Sequence, residues 1–262
     1  LPEVLRITED KPMPLPETLE TREESSDLSG PLLGNTLEIV GAQAAWGFGI
    51  TGEGWYVAVL DTGIRTSHEM FQGKNIVEHC FALGEDWYDK ENGDCPNGKT
   101  EMAGPGSAAH YESRYGHGSH VASIAAGNDH DTHFGVAKDA NIIAIQVFSY
   151  FPSYADVLSW SSDQLKGLEY VYTLRNTYNI ASVNMSLGSA EGYSDFCESS
   201  SRAQGVANLR AAGIATVIAA GNEGQCNAVS DPACIPGAVT VSGTDKEDNE
   251  YTSGNWHDEM VD

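Results

Sequence analysis

The sequence predicts one α/β domain of the doubly wound class, in which helices cover both faces of a mostly parallel sheet. Short, mostly apolar runs are typical of parallel strands that are buried on both faces. Segments with helical periodicity alternate with these runs along the chain. The predicted strands are Tyr56–Leu60, Ile142–Val147, Ala181–Leu187, Ala215–Ala220 and Ala238–Val241. The predicted helices are His120–Ala126, Ser162–Thr177 and Ser200–Ala212.

Each element has a local reason. The first strand is followed by Asp61 and, two residues later, by a glycine that allows a sharp turn. The first helix is rich in small residues, which favours close packing on the sheet. The last helix ends at Gly213, as expected of a C′ glycine. In such a sheet, functional sites gather at the carboxyl ends of the strands.

The composition excludes several classes of protein. The 262 residues include 14 Lys and Arg against 38 Asp and Glu, which gives a net charge of −24. A surface of this charge repels phosphates, so the chain is not predicted to bind nucleic acid. Apolar residues make up 40% of the chain, enough for a core, which excludes a wholly disordered acidic chain. No apolar run approaches the ~18 residues that a membrane span needs.

The chain divides into two parts. Residues 1–34 are rich in proline and acidic clusters and are predicted to be a leader and linker, with one strand-like run at Val4–Ile7. Residues 35–262 form the predicted domain. Within it, residues 76–116 are rich in Gly, Asn, Pro and acidic residues and are predicted to form a long surface loop. No segment has the pattern of a secretory signal, and the start at Leu1 leads us to expect a mature form or a piece of a precursor.

The five cysteines are Cys80, Cys95, Cys197, Cys226 and Cys234, and they lack zinc-site spacing. Two disulfides and one free thiol, in an oxidising compartment, are the favoured interpretation. Buried reduced cysteines in a cytosolic protein are the alternative.

Two segments place acid–base groups beside glycines. Asp61 ends the first strand and begins the sequence Asp-Thr-Gly; its carboxylate needs a partner when buried, although a turn cap is the alternative. His117 lies between two glycines, ahead of the small-residue helix. His117 and His120 are three residues apart, so a metal-binding pair is a second interpretation, but no third ligand has matching spacing.

Two further segments end strands with polar groups. Asn222 follows Ala219, Ala220 and Gly221, and its amide there can donate to a developing oxyanion; an ordinary turn asparagine is the alternative. The sequence Ser186-Leu187-Gly188 ends the third strand and can offer backbone groups to an extended peptide.

Together, the Asp-Thr-Gly, His-Gly-x-His, Ser-Leu-Gly and Ala-Ala-Gly-Asn motifs, in this order, resemble those of the subtilisin-like serine peptidases, the subtilase family. The resemblance extends from about Leu37 to the end of the chain. It implies that His117 is the general base and then the general acid, that Asp61 orients it, and that Asn222 donates to the oxyanion. It also implies a substrate pocket between Ser186–Gly188 and Ala219–Gly221.

The same resemblance extends to processing and cross-links. Residues Val4–Asp10 look like the last strand of a subtilase propeptide, so the predicted partners are protein substrates and the chain's own propeptide. Cysteine usage resembles that of secreted bacterial members and implies two disulfides, Cys80–Cys95 and Cys197–Cys234, with Cys226 unpaired. An extracellular location follows from the resemblance.

The family's nucleophile is the part of the pattern that we do not find. It lies in a Gly-Thr-Ser-x-Ala sequence beyond the asparagine, and no serine in this chain has that context. We expect a fragment cut from a longer precursor and inactive alone; the alternatives are a non-catalytic peptide-binding relative and one part of a split enzyme. The chemistry requires no cofactor. Residues Asn128–Asp131 resemble a calcium loop, but Met70 stands where a ligand aspartate is common.

Overall fold

The computed structural model describes residues 9–15, 34–86, 88–89, 91–108, 113–245 and 247–261. The strand-like run at Val4–Ile7 therefore lies outside the described residues.

The strands are β1 (Pro12–Pro14), β2 (Tyr56–Asp61), β3 (Ile76–Phe81), β4 (Glu101–Ala103), β5 (Asn141–Gln146), β6 (Ser149–Phe151), β7 (Asp156–Trp160), β8 (Ile180–Met185), β9 (Gly192–Tyr193), β10 (Ala215–Ala219), β11 (Val229–Ser230) and β12 (Val239–Val241). The α-helices are α1 (Gly34–Ile39), α2 (Ala42–Gly47), α3 (Gly116–Ala126), α4 (Ser161–Leu174) and α5 (Ala203–Ala211). All five predicted strands and all three predicted helices are present. Helix α3 begins four residues earlier than predicted and therefore includes His117.

A seven-stranded sheet in the order β12-β10-β8-β2-β5-β3-β4 forms the centre of the domain. Every neighbouring pair is parallel except β3 and β4. Strand β2 lies between β5 and β8, and its last residue, Asp61, pairs in register with Gln146 of β5. The carboxyl ends of β10, β8 and β2 therefore meet at one edge of the sheet.

Helices pack on both faces of this sheet, which confirms the doubly wound class. On one face, Ala122 and Ala126 of α3 join a buried cluster with Val59 and Ile142. The core on the other face consists of these buried residues of the strands and of α4 and α5: Leu60, Ile143, Ile145, Leu168, Val171, Val206, Leu209 and Ile218. The approach of α3 is so close that a Cβ on Gly118 would overlap the carbonyl oxygen of Gly63.

The prediction of a surface loop over residues 76–116 is wrong at both ends of the segment. Residues Ile76–Phe81 form β3, a strand inside the sheet, and α3 begins at Gly116. The apolar pattern of β3 is interrupted by Glu78 and His79, which are both buried and both partnered. A carboxylate oxygen of Glu78 accepts hydrogen bonds from the backbone of Gly106 and Ala108, and His79 Nε2 lies 3.1 Å from Glu101.

The described part of the proline-rich segment before the domain, residues 9–15, contains a strand. Strand β1 pairs antiparallel with β7, and β6 completes this three-stranded sheet. The carboxylate of Asp10 accepts a hydrogen bond of 3.0 Å from the backbone nitrogen of Ser162 in the first turn of α4. Residues 9–15 of the predicted leader and linker therefore lie against the domain. In the described part of the chain, we find no helix with the length and apolar character of a membrane span.

Candidate active site

The centre of the candidate site is a hydrogen-bonded pair, Asp61 and His117. Asp61 is the last residue of β2 and is fully buried. His117 is the second residue of α3, with a side chain that is 16% exposed. Its Nδ1 lies 2.8 Å from Oδ1 and 3.0 Å from Oδ2 of Asp61. With the proton on Nδ1, the imidazole donates to the carboxylate and leaves Nε2 as a base.

The electrostatics of this pair favour the protonated imidazole. Burial alone disfavours the charged ring, but the hydrogen bond and the negative charge of Asp61 outweigh it and raise the pKa of His117 above its ordinary value. A histidine in this setting can take a proton from a weak acid and return it near neutral pH.

Thr62, to which sequence reasoning assigned no role, holds the two halves of this pair in place. Its backbone nitrogen donates to Asp61 Oδ1 at 2.7 Å. Its hydroxyl donates to the carbonyl of Tyr115 and accepts from the nitrogen of Gly118. The end of β2 is thereby tied to the first turn of α3. The signal was the Asp-Thr-Gly motif itself, in which only the aspartate and the glycine were interpreted.

The loop closed by the disulfide between Cys80 and Cys95 also stabilises the start of α3. The hydroxyl of Tyr115 donates to the carboxylate of Asp94, which also accepts from the backbone of Tyr150 at 2.7 Å. Burial, and then the hydrogen bond to Asp94, raise the pKa of Tyr115 far above its ordinary range. Asp94 directly precedes Cys95, which is disulfide-bonded to Cys80 of β3. The turn before His117 is thus anchored to a cross-linked loop.

Asn222 follows β10 at the same edge of the sheet. Strand β10 ends at Ala219. The next two residues, Ala220 and Gly221, are buried, whereas Asn222 is exposed. Gly221 has a φ of 116°, a conformation that L side chains rarely adopt. The chain therefore turns sharply at Gly221 and presents Asn222 at the surface.

The two predicted walls of a substrate groove both lie close to Ser230. Residues Ser186–Gly188 follow β8, the neighbour of β10, and Leu187 is fully buried. A Cβ on Gly188 would lie 2.9 Å from Ser230 Cβ. On the other side, the nitrogen of Ser230 donates to the carbonyl of Ala220 at 2.8 Å. A Cβ on Gly221 would overlap Ser230 Oγ, so Gly188 and Gly221 both bring backbone close to this buried serine.

The order of the strands brings these groups to one edge. Asp61 ends β2, Ser186–Gly188 follows β8, and Asn222 follows β10, and these three strands are adjacent and parallel. His117 reaches the same edge from the start of α3. The chain thus places the Asp61–His117 pair, the Ser186–Gly188 segment and the Asn222 amide along one rim.

A nucleophile bonded to the base is not found in the part of the chain that the structure describes. There, no serine hydroxyl hydrogen-bonds to His117, whose partner is Asp61. Ser107 and Ser230 are fully buried, and the hydroxyl of Ser189 donates to the carbonyl of Glu191.

The cysteines are paired as the family resemblance implies. The structure contains disulfides between Cys80 and Cys95 and between Cys197 and Cys234, and Cys226 is free and exposed.

The loop at Asn128–Asp131 contains a carboxylate that is already bound. Asp129 Oδ1 accepts from the backbone nitrogens of Asp131, Thr132 and His133, each at 2.9 Å. Its Oδ2 lies 2.7 Å from His133 Nδ1. The Asp129 carboxylate is therefore hydrogen-bonded within its own loop, and a calcium ion at this loop stays a prediction.

Among the residues that the structure describes, none joins His117 and His120 as a third possible metal ligand. His120 is exposed, and Nδ1 of His117 is bonded to Asp61. Among the described residues, the one cluster of three possible ligands is Cys197, Asp231 and Cys234, and its two sulfurs are joined in a disulfide.

Comparison with known proteins identifies relatives of this chain. The model of the subtilase family, Peptidase S8, matches residues 52–260, about four fifths of the chain. Alkaline protease 1 of Aspergillus flavus is 28% identical over 209 residues, which cover 78% of this chain and 41% of that protein. Subtilisin-like protease 2 of Arthroderma otae is 31% identical over 206 residues, which cover 78% and 40%. The chain thus spans about two fifths of the length of these relatives.

Solved structures show the same fold at lower sequence identity. Sphericase matches with a TM-score of 0.57 and 22% identity, over 78% of this chain and 60% of that one. A structure described as S41 psychrophilic protease matches with a TM-score of 0.58 and 22% identity, with the same coverage.

Proposed function

The chain belongs to the subtilase family, and on this basis we propose that it provides the acid–base half of a serine endopeptidase that hydrolyses peptide bonds in proteins. The observation that carries the proposal is the buried hydrogen bond of 2.8 Å between Asp61 and His117. A raised histidine pKa and a buried carboxylate partner are what a general base for a hydroxyl nucleophile needs.

Each of the three polar residues has a defined role in this reaction. His117 Nε2 takes the proton of a serine hydroxyl as that oxygen attacks the scissile carbonyl, and then returns it to the leaving amine. Asp61 keeps the proton on Nδ1 and stabilises the imidazolium. Asn222 donates a hydrogen bond to the carbonyl oxygen as it becomes an oxyanion, an interaction typically worth about 3 kcal/mol of barrier.

The substrate lies across the rim as an extended strand. Ser186–Gly188 and Ala219–Gly221 form the two walls, and their backbone groups pair with the peptide. The position of both segments after the adjacent parallel strands β8 and β10 supports this placement.

The nucleophile in this proposal is a serine outside residues 1–262. No serine of the chain has the Gly-Thr-Ser-x-Ala context, and none in the described ranges is bonded to His117. The chain as given is therefore expected to be inactive by itself. The reaction requires no cofactor, and the carboxylate of Asp129 is held by the chain's own donors.

Location and processing are part of the same proposal. Two disulfides fit an oxidising, extracellular compartment. Residues 1–34 are proposed to be the end of a propeptide and a linker, and residues 35–262 to be the peptidase domain. The docking of β1 on β7 supports a contact between that propeptide and the domain.

A non-catalytic peptide-binding protein is a second candidate, favoured by the lack of a serine bonded to His117 in the described part of the chain. An enzyme split over two chains is the third. The coding sequence beyond codon 262 separates them: an in-frame Gly-Thr-Ser-x-Ala segment supports the peptidase, and a stop codon there contradicts a one-chain enzyme.

A fluorophosphonate probe, which labels activated serines, tests the placement of the nucleophile. We expect no labelling of the purified 262-residue chain. Labelling of any serine, located by peptide mass analysis, would show that the nucleophile is inside this chain and that the proposal misplaces it.

A further inference from the structure

One buried side chain, Asn255, binds the loop that presents Asn222. Asn255 is fully buried and lies 33 residues after Asn222 along the chain. Its Oδ1 accepts from the backbone nitrogens of Glu223 at 3.1 Å and Gln225 at 3.0 Å. Its Nδ2 donates to the carbonyl of Ala220 at 3.2 Å and to the carboxylate of Glu223 at 2.7 Å. The Asn255 amide therefore hydrogen-bonds to backbone groups both before and after Asn222.

The backbone around Asn255 continues this contact. The nitrogen of Asn255 donates to the carbonyl of Gly221 at 3.0 Å, and the nitrogen of Gly224 donates to the carbonyl of Ser253 at 2.9 Å. The nitrogen of Trp256 donates to the carbonyl of Gln225, also at 2.9 Å. Residues 253–256 thus run along the whole loop 220–225.

The sharp turn before Asn222 is packed against the same amide. A Cβ on Gly221 would overlap Asn255 Nδ2 and Ser230 Oγ. The positive φ of Gly221 and the bulk of Asn255 therefore fix together the direction in which the chain leaves the turn.

Only a side chain with both an acceptor and a donor satisfies this loop. Alanine would leave the backbone nitrogens of Glu223 and Gln225 without their acceptor and would remove one of the two donors to the carbonyl of Ala220. Aspartate would keep the acceptor, but it would place a second carboxylate against Glu223 and remove the donor to Ala220. The amide of Asn255 is therefore chemically specific and not merely a filler of space.

We propose that Asn255 is a positioning residue for Asn222, which orients the amide donor through the hydrogen bonds of loop 220–225. The inference rests on the proposed function, in which Asn222 stabilises the oxyanion. Asn255 contacts neither substrate nor reacting atoms, so its effect on catalysis passes entirely through Asn222.

A double-mutant cycle in the active protein that contains this chain tests the inference, with kcat and KM for a peptide amide as the readout. Asn222→Ala is expected to lower kcat by about 100-fold or more. Asn255→Ala is expected to lower kcat by about tenfold or more, with KM changed less than about threefold, since an oxyanion donor acts in the transition state. In the Asn222→Ala background, Asn255→Ala is expected to lower kcat no further.

Controls separate positioning from folding. Asn249→Ala removes an exposed amide from the same segment, one that bonds to Asp245, and is expected to leave kcat unchanged. If Asn255→Ala does not fold, Asn255→Asp is compared with Asn255→Asp combined with Glu223→Gln. The new glutamine can donate to the new carboxylate, so the pair is expected to recover part of the kcat lost in Asn255→Asp alone.

The outcomes are distinct. An equal loss of kcat from Asn255→Ala in both backgrounds, or an unchanged kcat in the single variant while Asn222→Ala is impaired, would overturn the role of Asn255 alone. An unchanged kcat in Asn222→Ala, or no hydrolysis by the unsubstituted protein, would overturn the proposed function and this inference with it.

Discussion

The hydroxyl of Thr62 lies 2.9 Å from the backbone nitrogen of Gly118, so the residue after Asp61 binds the residue after His117. The same hydroxyl donates to the carbonyl of Tyr115 at 2.8 Å. A strand end and a helix start, 56 residues apart in sequence, are thereby held in one geometry. The distance between the carboxylate and the imidazole follows from this link.

Replacement of Thr62 by valine tests the link. The change keeps the shape and removes the hydroxyl, so a buried N–H and a buried carbonyl lose their partner. We expect the free energy of unfolding to fall by about 1–3 kcal/mol, measured by urea denaturation. Thr173→Val is the control, because that hydroxyl is exposed on α4, and a change within about 0.5 kcal/mol is expected there. Equal effects of the two substitutions would contradict the assigned role of Thr62.

The ionisation of His117 can be measured without catalysis. The hydrogen bond and charge of Asp61 outweigh burial and raise its pKa, so an NMR titration of the 262-residue chain should give a pKa above the ordinary value of about 6.5. Asp61→Asn removes the causes that raise the pKa and leaves the burial that lowers it. The pKa is therefore expected to fall below the ordinary value in that variant.

The raised pKa of His117 also determines how activity and stability change with pH. The base must be neutral, so kcat/KM of the active protein is expected to rise with pH through the pKa of His117. The stability that the pair contributes is complete below the unfolded pKa and is lost as pH rises through the folded one. Asp131→Asn, a change at an exposed carboxylate, is the control for the titration. A titration of His117 that is identical in wild type and Asp61→Asn would contradict the pairing.

Asp163 is a buried carboxylate that the proposed reaction does not use, and its pKa, like that of His117, is raised in the folded protein. Burial raises its pKa to about 6, although it accepts a hydrogen bond from the nitrogen of Leu83 at 2.9 Å and lies 3.3 Å from Lys166. The folded protein therefore binds more protons than the unfolded chain between pH 4 and 6, and stability falls as pH rises through this window. Asn at this position keeps the acceptor for Leu83 and cannot ionise.

We expect Asp163→Asn to raise the stability at pH 7, relative to its effect at pH 3.5, by up to about 3 kcal/mol, two pKa units at about 1.4 kcal/mol each. Chemical denaturation at the two pH values measures it. If the stability difference between Asp163→Asn and wild type is the same at pH 3.5 and pH 7, Asp163 ionises normally.

The disulfide between Cys80 and Cys95 closes a loop of about 15 residues that carries Asp94, the partner of Tyr115. Replacing both cysteines by alanine is expected to lower the free energy of unfolding by about 3 kcal/mol, the loop-closure value for this length. The control is Cys226→Ala, at the free and exposed cysteine, where little change is expected. Equal stability of the two variants would mean that the cross-link does not stabilise the fold.

The sequence was informative where one local pattern decided the structure. The five apolar runs became parallel strands, because strands buried on both faces are apolar throughout. Strand β3 was missed because Glu78 and His79 interrupt its apolar pattern, and their partners, Gly106, Ala108 and Glu101, lie more than 20 residues away in sequence. Local periodicity contains no information about such partners.

The candidate site also contains a residue whose contacts cannot be predicted from local sequence. Asp61, His117 and Asn222 could be chosen as candidates from the sequence because each stands in a short glycine-containing motif after or beside a strand. Asn255 stands in no such motif, and its role depends on a contact with a loop 30 residues earlier. A buried amide that satisfies four backbone and side-chain groups is recognised only when those groups are seen together.

The most direct test of the account is the effect of His117→Ala on peptide hydrolysis by the active protein that contains this chain. We expect kcat/KM to fall by about 10⁴-fold or more, with the midpoint of thermal unfolding little changed, because the proposed role of the residue is that of base and acid and not of a core side chain. Asp131→Asn is the matched control and should retain full activity. A His117→Ala protein that folds and retains its kcat/KM would contradict the central claim.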